Sequence, residues 1–183
     1  EDRWILSRLN YLVANVDKLL EDFQFGEAER QIHDFLWGEF CDWYIEIAKI
    51  RLRSEAPSPL PVLVHVLETS LRLLHPFMPF VTEEIWQNLA SHLPDEGRPD
   101  SIMIAPYPTL DERLFDPQAE EEMESVIEIV RAIRNARAEH RVEPAKWIEA
   151  IVSAGEMRPC FELEHQAIET LARVRPLTIV DNW

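Results

Sequence analysis

The stretch FLWGEFCDWYIEIAKIRLR, from Phe35 to Arg53, limits what this chain can fold into more than any other. At 3.6 residues per turn it places Leu36, Phe40, Trp43, Tyr44, Ile47 and Ile50 on one helical face. Trp37, Cys41, Ala48 and Leu52 widen that face past half the circumference. So much apolar surface must be covered on two or three sides, which makes this the central helix of a bundle. Trp37, Trp43 and Tyr44 share the apolar face and are expected in the core rather than as stacking platforms. Gly38, Glu39, Asp42, Glu46, Lys49 and Arg53 form the remaining polar stripe, with Ile45 at its edge. Gly38 costs about 1 kcal/mol relative to alanine inside a helix, so close packing or a bend is expected there.

The flanking sequence supplies the partners. Trp4, Leu6, Leu9, Val13, Val16, Leu19 and Leu20 recur at helical spacing and predict a first helix from about Asp2 to Asp22. SEAPSPLP ends the central helix, with Ser58 and Pro59 as cap and first position of a third helix running to Leu74. In HPFMPF, Pro76 and Pro79 break that helix, while Phe77, Met78, Phe80 and Val81 are too apolar for solvent. Thr82, Glu83 and Glu84 then start a fourth helix, whose buried face is Ile85, Trp86 and Leu89. An antiparallel four-helix bundle closes this set.

Beyond a loop at residues 94–100, Ile102–Ala105 reads as a short extended run. Asp116 and Pro117 open a fifth, long helix. After Pro144 the pattern changes: WIEAIVSA and LTIV read as strands, with a helix from about Phe161 to Val174 between them. The expected fold class is all-α, a bundle followed by a long helix and a small α/β appendage. The expected division is 1–110 for the bundle and 111–183 for the rest.

Composition narrows the chemistry. No apolar run approaches the roughly 20 residues that span a bilayer. The chain opens in mid-helix pattern at Glu1 and reads as a piece of a longer protein. Cys41 and Cys160 lack a CxxC neighbour, and the six His are not clustered at ligand spacing, so no metal site is expected. No Gly-rich phosphate loop, HExxH or GxSxG is present, so no catalytic residue is assigned. A net charge of −16 runs against a stand-alone nucleic-acid binder, which ordinarily carries a basic patch.

That charge is uneven. Asp111–Glu128 holds eight acids and one Arg, whereas Ile129–Lys146 holds five basic residues and two acids. Arg131, Arg134, Arg137 and Arg141 fall within about a third of one helical circumference. They fit a charge gradient matched to the helix dipole, with Arg stems covering the edge of the core. They also fit a row of phosphate contacts, since the guanidinium fork matches phosphate oxygens. The stripe Asp42, Glu46, Lys49 and Arg53 is open to the same two readings, a solvated face or a binding edge.

EFCDWYIEIAK resembles the anticodon-binding helical domain of the class I aminoacyl-tRNA synthetases for valine, isoleucine, leucine and methionine. DRWILSRLN and LLHPFMPFVTEEIWQNL point the same way, and IRNARAEHRVEPAK is similar to the valine-specific branch. The resemblance covers about Asp2 to Lys146. It implies a module that recognises the anticodon stem-loop of tRNA(Val) within a longer cytoplasmic ligase. ATP and Mg²⁺ would be used in a catalytic domain elsewhere, because the HIGH and KMSKS signatures are absent from this chain. Its partners would be that tRNA and the remainder of the synthetase chain, with neither DNA nor membrane. With that resemblance, the tRNA-contacting candidates read from the two charge patterns are Asp42, Ile45, Glu46, Lys49 and Arg53 together with Arg131, Arg134, Arg137 and Arg141. An unstacked base resting on Ile45 would present its edge to the neighbouring charges. The same module from an isoleucine enzyme, or a helical protein-interaction module, are the alternative readings. An independent enzyme has no supporting constellation.

Overall fold

The computed structural model describes residues 1–94 and 97–181. The chain divides into two compact units, Glu1–Asp116 and Pro117–Trp183.

The first unit is helical. Helix α1 covers Asp2–Glu21 and ends in a tight reversal, where Phe23 takes a left-handed conformation (φ 58°). There the Gln24 N–H reaches back to the Leu19 carbonyl at 2.8 Å. A continuous helical run follows: α2 (Phe25–Phe35), a π-helical segment (Leu36–Tyr44) and α3 (Ile45–Arg51). Helices α4 (Leu60–Leu74) and α5 (Pro79–Ser91) complete the bundle, with α1 against α2 and α4, and α4 against α5. The core joins Trp4, Ile5 and Val16 of α1 to Phe40, Trp43, Tyr44 and Ile47 of the central run. Tyr44 is fully buried, so its hydroxyl needs a partner; it donates to the Asp2 carboxylate at 2.6 Å. Arg51 donates to the same Asp2 at 2.6 Å and to Glu1 at 2.8 Å, tying the end of the run to the start of α1.

The bundle departs from the sequence pattern at several points. Trp37 and Leu52, expected in the core, are exposed. Arg53 lies past the end of α3, in the turn. No atom would meet a Cβ on Gly38, so close packing is not what this glycine serves. Helix α5 begins at Pro79, a turn earlier than expected, because proline suits the first helical turn. Thr82 therefore sits inside it, buried, with its hydroxyl donating to the Met78 carbonyl at 2.8 Å. Phe80 is 90% exposed and Met78 and Val81 are also open, against the expectation that they are covered. Ile102–Ile104 is a 3₁₀ turn rather than an extended run. Glu83 holds it in place, accepting from Ser101 Oγ at 2.7 Å and the Ile102 N–H at 3.2 Å.

Residues 111–116 belong with the bundle, six residues beyond the expected boundary. Asn10 exchanges two hydrogen bonds with the Asp111 backbone, at 2.8 and 2.9 Å. Ser7 Oγ accepts from the Asp116 N–H at 2.9 Å, and Arg3 forks onto the Asp116 carboxylate at 2.6 and 2.9 Å.

In the second unit, α6 (Pro117–Glu139) precedes β1 (Ile148–Ser153), α7 (Arg158–Leu163), α8 (His165–Ala172) and β2 (Val174–Val180). The two strands pair in parallel, with Ile151 opposite Thr178, so the connection between them must cross over through helices. The expected single helix is split at Glu164, and it ends at Ala172 because Arg173 turns left-handed (φ 53°). Val126 and Val130 of α6, Ile168 of α8 and Val174 of β2 are its buried apolar centre.

Trp43, 5% exposed at the middle of the central run, carries the packing of the first unit. Trp43→Ala is expected to lower unfolding stability by about 3–5 kcal/mol. A urea titration reads this as a lower midpoint, and an unchanged midpoint would remove Trp43 from the core.

Candidate nucleic-acid interface

The π-helical segment decides which side chains the central run shows to solvent. Bonds closing i to i+5 put more residues into each turn, so faces drawn at 3.6 residues per turn drift around the helix. Glu39, expected in the solvated stripe, instead accepts a fork from Arg8 of α1 at 2.7 and 2.8 Å. Trp37 is 61% exposed and stacks on His33, with ring centroids 5.5 Å apart and planes 19° apart.

Of the candidate stripe, Asp42 and Lys49 are exposed and Glu46 is half-buried, hydrogen-bonded to Lys49. Ile45 is half-buried and lines a groove of about 560 Å³ between the central run and helices α4 and α5. Phe40 and Cys41 share its wall; Leu67 and Leu74 of α4 and Met78 stand opposite. The sequence reading missed this groove. Its signal was present in the excess of apolar residues at Trp37, Met78 and Ile85 over what one bundle core can cover.

The arginine row does not survive as one face. Arg131 and Arg134 are exposed on α6; Arg131 lies 3.9 Å from Glu124, and Arg134 Nε donates to the Leu171 carbonyl at 3.0 Å. Arg137 is buried, 7% exposed, and its guanidinium donates to three main-chain carbonyls: Arg173 at 3.1 Å, Glu143 at 3.1 Å and Lys146 at 2.7 Å. With the side chain buried and three of its five N–H donors on carbonyls of its own unit, this fork is held away from solvent, so the structural reading holds for this residue. Arg141 stands beyond the helix end in a left-handed conformation (φ 52°), with its side chain exposed. It is the hinge of a Schellman stop: the Val142 N–H reaches the Arg137 carbonyl at 2.9 Å and the Arg141 N–H that of Ala138 at 3.0 Å. The stripe and the arginines belong to different units.

Cys41 and Cys160 are half-buried and burial pushes both thiols up, Cys160 to about 11, away from the reactive thiolate. Among the described residues no group of three His, Cys, Asp or Glu side chains could hold a metal ion. Among them also, no helix is long and apolar enough to cross a membrane.

Residues 2–152 match the family described as the anticodon-binding domain of tRNA ligase. The chain belongs to that family. Its relatives include the valine–tRNA ligase of Dehalococcoides mccartyi strain CBDB1, 56% identical over 181 residues, which cover 98% of this chain and 21% of that protein. The valine–tRNA ligase of Carboxydothermus hydrogenoformans is 45% identical over 183 residues, 97% of this chain and 20% of that protein. That of Geobacillus stearothermophilus is 47% identical over 151 residues, 80% of this chain and 16% of that protein. The chain thus spans about a fifth of the length of the first two relatives and less of the third. The anticodon-binding family match ends at residue 152, one residue before the end of β1, so α7, α8 and β2 lie beyond it.

Arg137→Leu is expected to cost at least about 3 kcal/mol, because three carbonyls lose a charged donor. Arg134→Gln, on the surface, should change stability by about 0.5 kcal/mol or less. Urea unfolding of the two variants separates the roles; equal midpoints would return Arg137 to the list of phosphate contacts.

Proposed function

We propose that this chain is the part of a valine–tRNA ligase that grips the anticodon stem-loop of tRNA(Val). The observation that carries the reading is 56% identity to a valine–tRNA ligase across 98% of the chain, within a family match from residue 2 to 152. The same likeness favours valine over the isoleucine alternative. The parent enzyme joins valine to its tRNA through an adenylate made from ATP with Mg²⁺, in the cytoplasm. That chemistry belongs to the remainder of the ligase, since neither nucleotide signature, HIGH or KMSKS, occurs here.

The physical work left to this chain is selection. Asp42, Glu46 and Lys49 supply acceptors and a cationic donor along one edge, with Asp42 and Lys49 exposed and Glu46 half-buried, the complement that the Watson–Crick edge of an unstacked base requires. Arg53, exposed in the turn beyond α3, extends the same edge with a cation. Arg131, Arg134 and Arg141 meet phosphates without reading sequence, because charge neutralisation carries no base information. Ile45 is reassigned from this edge: its side chain belongs to the wall of the groove, and Arg137 is reassigned to structure. With so few cations, a chain of net charge −16 cannot hold RNA by bulk attraction, and binding rests on a few placed contacts.

Lys49→Ala in the full-length ligase is expected to lower kcat/KM for the cognate tRNA by roughly tenfold, for about 1–3 kcal/mol of lost contact, with the melting temperature unchanged. Charging at the wild-type rate would move the anticodon away from the central helix. Arg134→Gln and Arg141→Gln should each weaken tRNA binding whatever the anticodon, and each should flatten the plot of log affinity against log salt by about 0.7–0.9. An unchanged slope would leave these arginines without phosphate partners.

A further inference from the structure

The groove between the central run and helices α4 and α5 is a surface feature that the proposed RNA contacts do not use. It runs along the central helix from Glu29 to Ile45, roughly 20 Å at the helical rise. Apolar side chains line it almost throughout; among the described residues the only carboxylate lining it is Glu29, and no Lys or Arg contributes. Its open edge carries Trp37, 61% exposed, and Met78, 45% exposed. The apolar surface continues onto Phe80, Val81 and Ile85 of α5, all exposed.

A strand of RNA is a poor occupant. Sites for unpaired bases join aromatic platforms to cations that track the phosphates, and they need polar groups to read base edges. This groove has the aromatic stack and neither of the other two. A helix laying an apolar face into it, with anchors one turn apart, matches both the length and the chemistry. Exposed apolar area of this extent on a single chain marks an interface. The source of such a helix is at hand, because about four-fifths of the length of the first two relatives lies outside the region matched here.

We propose that this groove receives an apolar helix from the remainder of the same ligase chain, and so fixes the anticodon-binding bundle to the body of the enzyme. This rests on the reading of the chain as part of a longer tRNA ligase. In that arrangement Trp37 and Ile45 are interface anchors, while Glu46 and Lys49, next along the same helix, stay open to the RNA. One helix then serves two contacts of opposite chemistry, and the two can be broken separately.

The test places the photoreactive residue p-benzoylphenylalanine at Trp37, and in a second protein at Met78, in the full-length ligase without tRNA. The expected result is a cross-link within one chain, from the groove to a helical segment outside the 183 residues, mapped by peptide mass spectrometry and unchanged when tRNA is added. A cross-link between two ligase chains, a cross-link to tRNA, or no cross-link at either position would overturn the proposal. Trp37→Glu should in addition make the bundle at least several-fold more susceptible to limited proteolysis in the full-length ligase; unchanged digestion would count against the docking. Lys49→Ala, measured in the same proteins by tRNA charging, keeps the two questions apart. A normal cross-link with charging unaffected would sink the anticodon assignment and spare the groove, and the converse would do the opposite.

Discussion

The structure of the first unit depends on one demand: a helical run from Phe25 to Arg51 must bury apolar side chains on more than one side at once. Helix α1 satisfies one side, closing over Phe40, Trp43, Tyr44 and Ile47. The Asp2 carboxylate, shared by the Tyr44 hydroxyl and the Arg51 guanidinium, fixes the register of that closure at its end. Helix α4 satisfies a second side only in part, and what it leaves uncovered is the groove. The π-helical segment adjusts the run between these neighbours. Within it Glu39 meets Arg8 and Trp37 is exposed.

Helix positions were legible because hydrophobic spacing and proline punctuation agree. Helix α4 occupies Leu60–Leu74 as Pro59 and His75-Pro76 imply, and α6 starts at Pro117 behind Asp116. The two strands of the appendage were legible from their β-branched runs, although their parallel pairing was not, since pairing direction depends on the helices between. The errors have separate causes. Drawing Trp37 and Arg141 at an unbroken 3.6-residue period ignored the i to i+5 bonding of Leu36–Tyr44 and the Schellman stop at Arg141, which side-chain spacing does not record. Arg137 lies within the regular helix α6 and is buried because carbonyls distant along the chain close around it.

Charge is distributed to suit a module that selects more than it attracts. Most arginines are already engaged within the fold: Arg8 with Glu39, Arg51 with Glu1 and Asp2, and Arg137 with main-chain carbonyls. The cations left at the surface are few and separate, so long-range attraction for a polyanion is weak while individual contacts can still discriminate. On the proposed function, such a region relies on the rest of a longer ligase to bring the tRNA close, as the proposed docking of the groove would allow.

The central claim is that this region admits a tRNA by its anticodon. The most direct measurement is charging by the wild-type full-length ligase of two tRNA(Val) transcripts that differ only in their anticodon letters. The account predicts that exchanging the letters lowers kcat/KM by roughly tenfold or more, since lost base contacts cost about 1–3 kcal/mol each. Equal charging of both transcripts would contradict it.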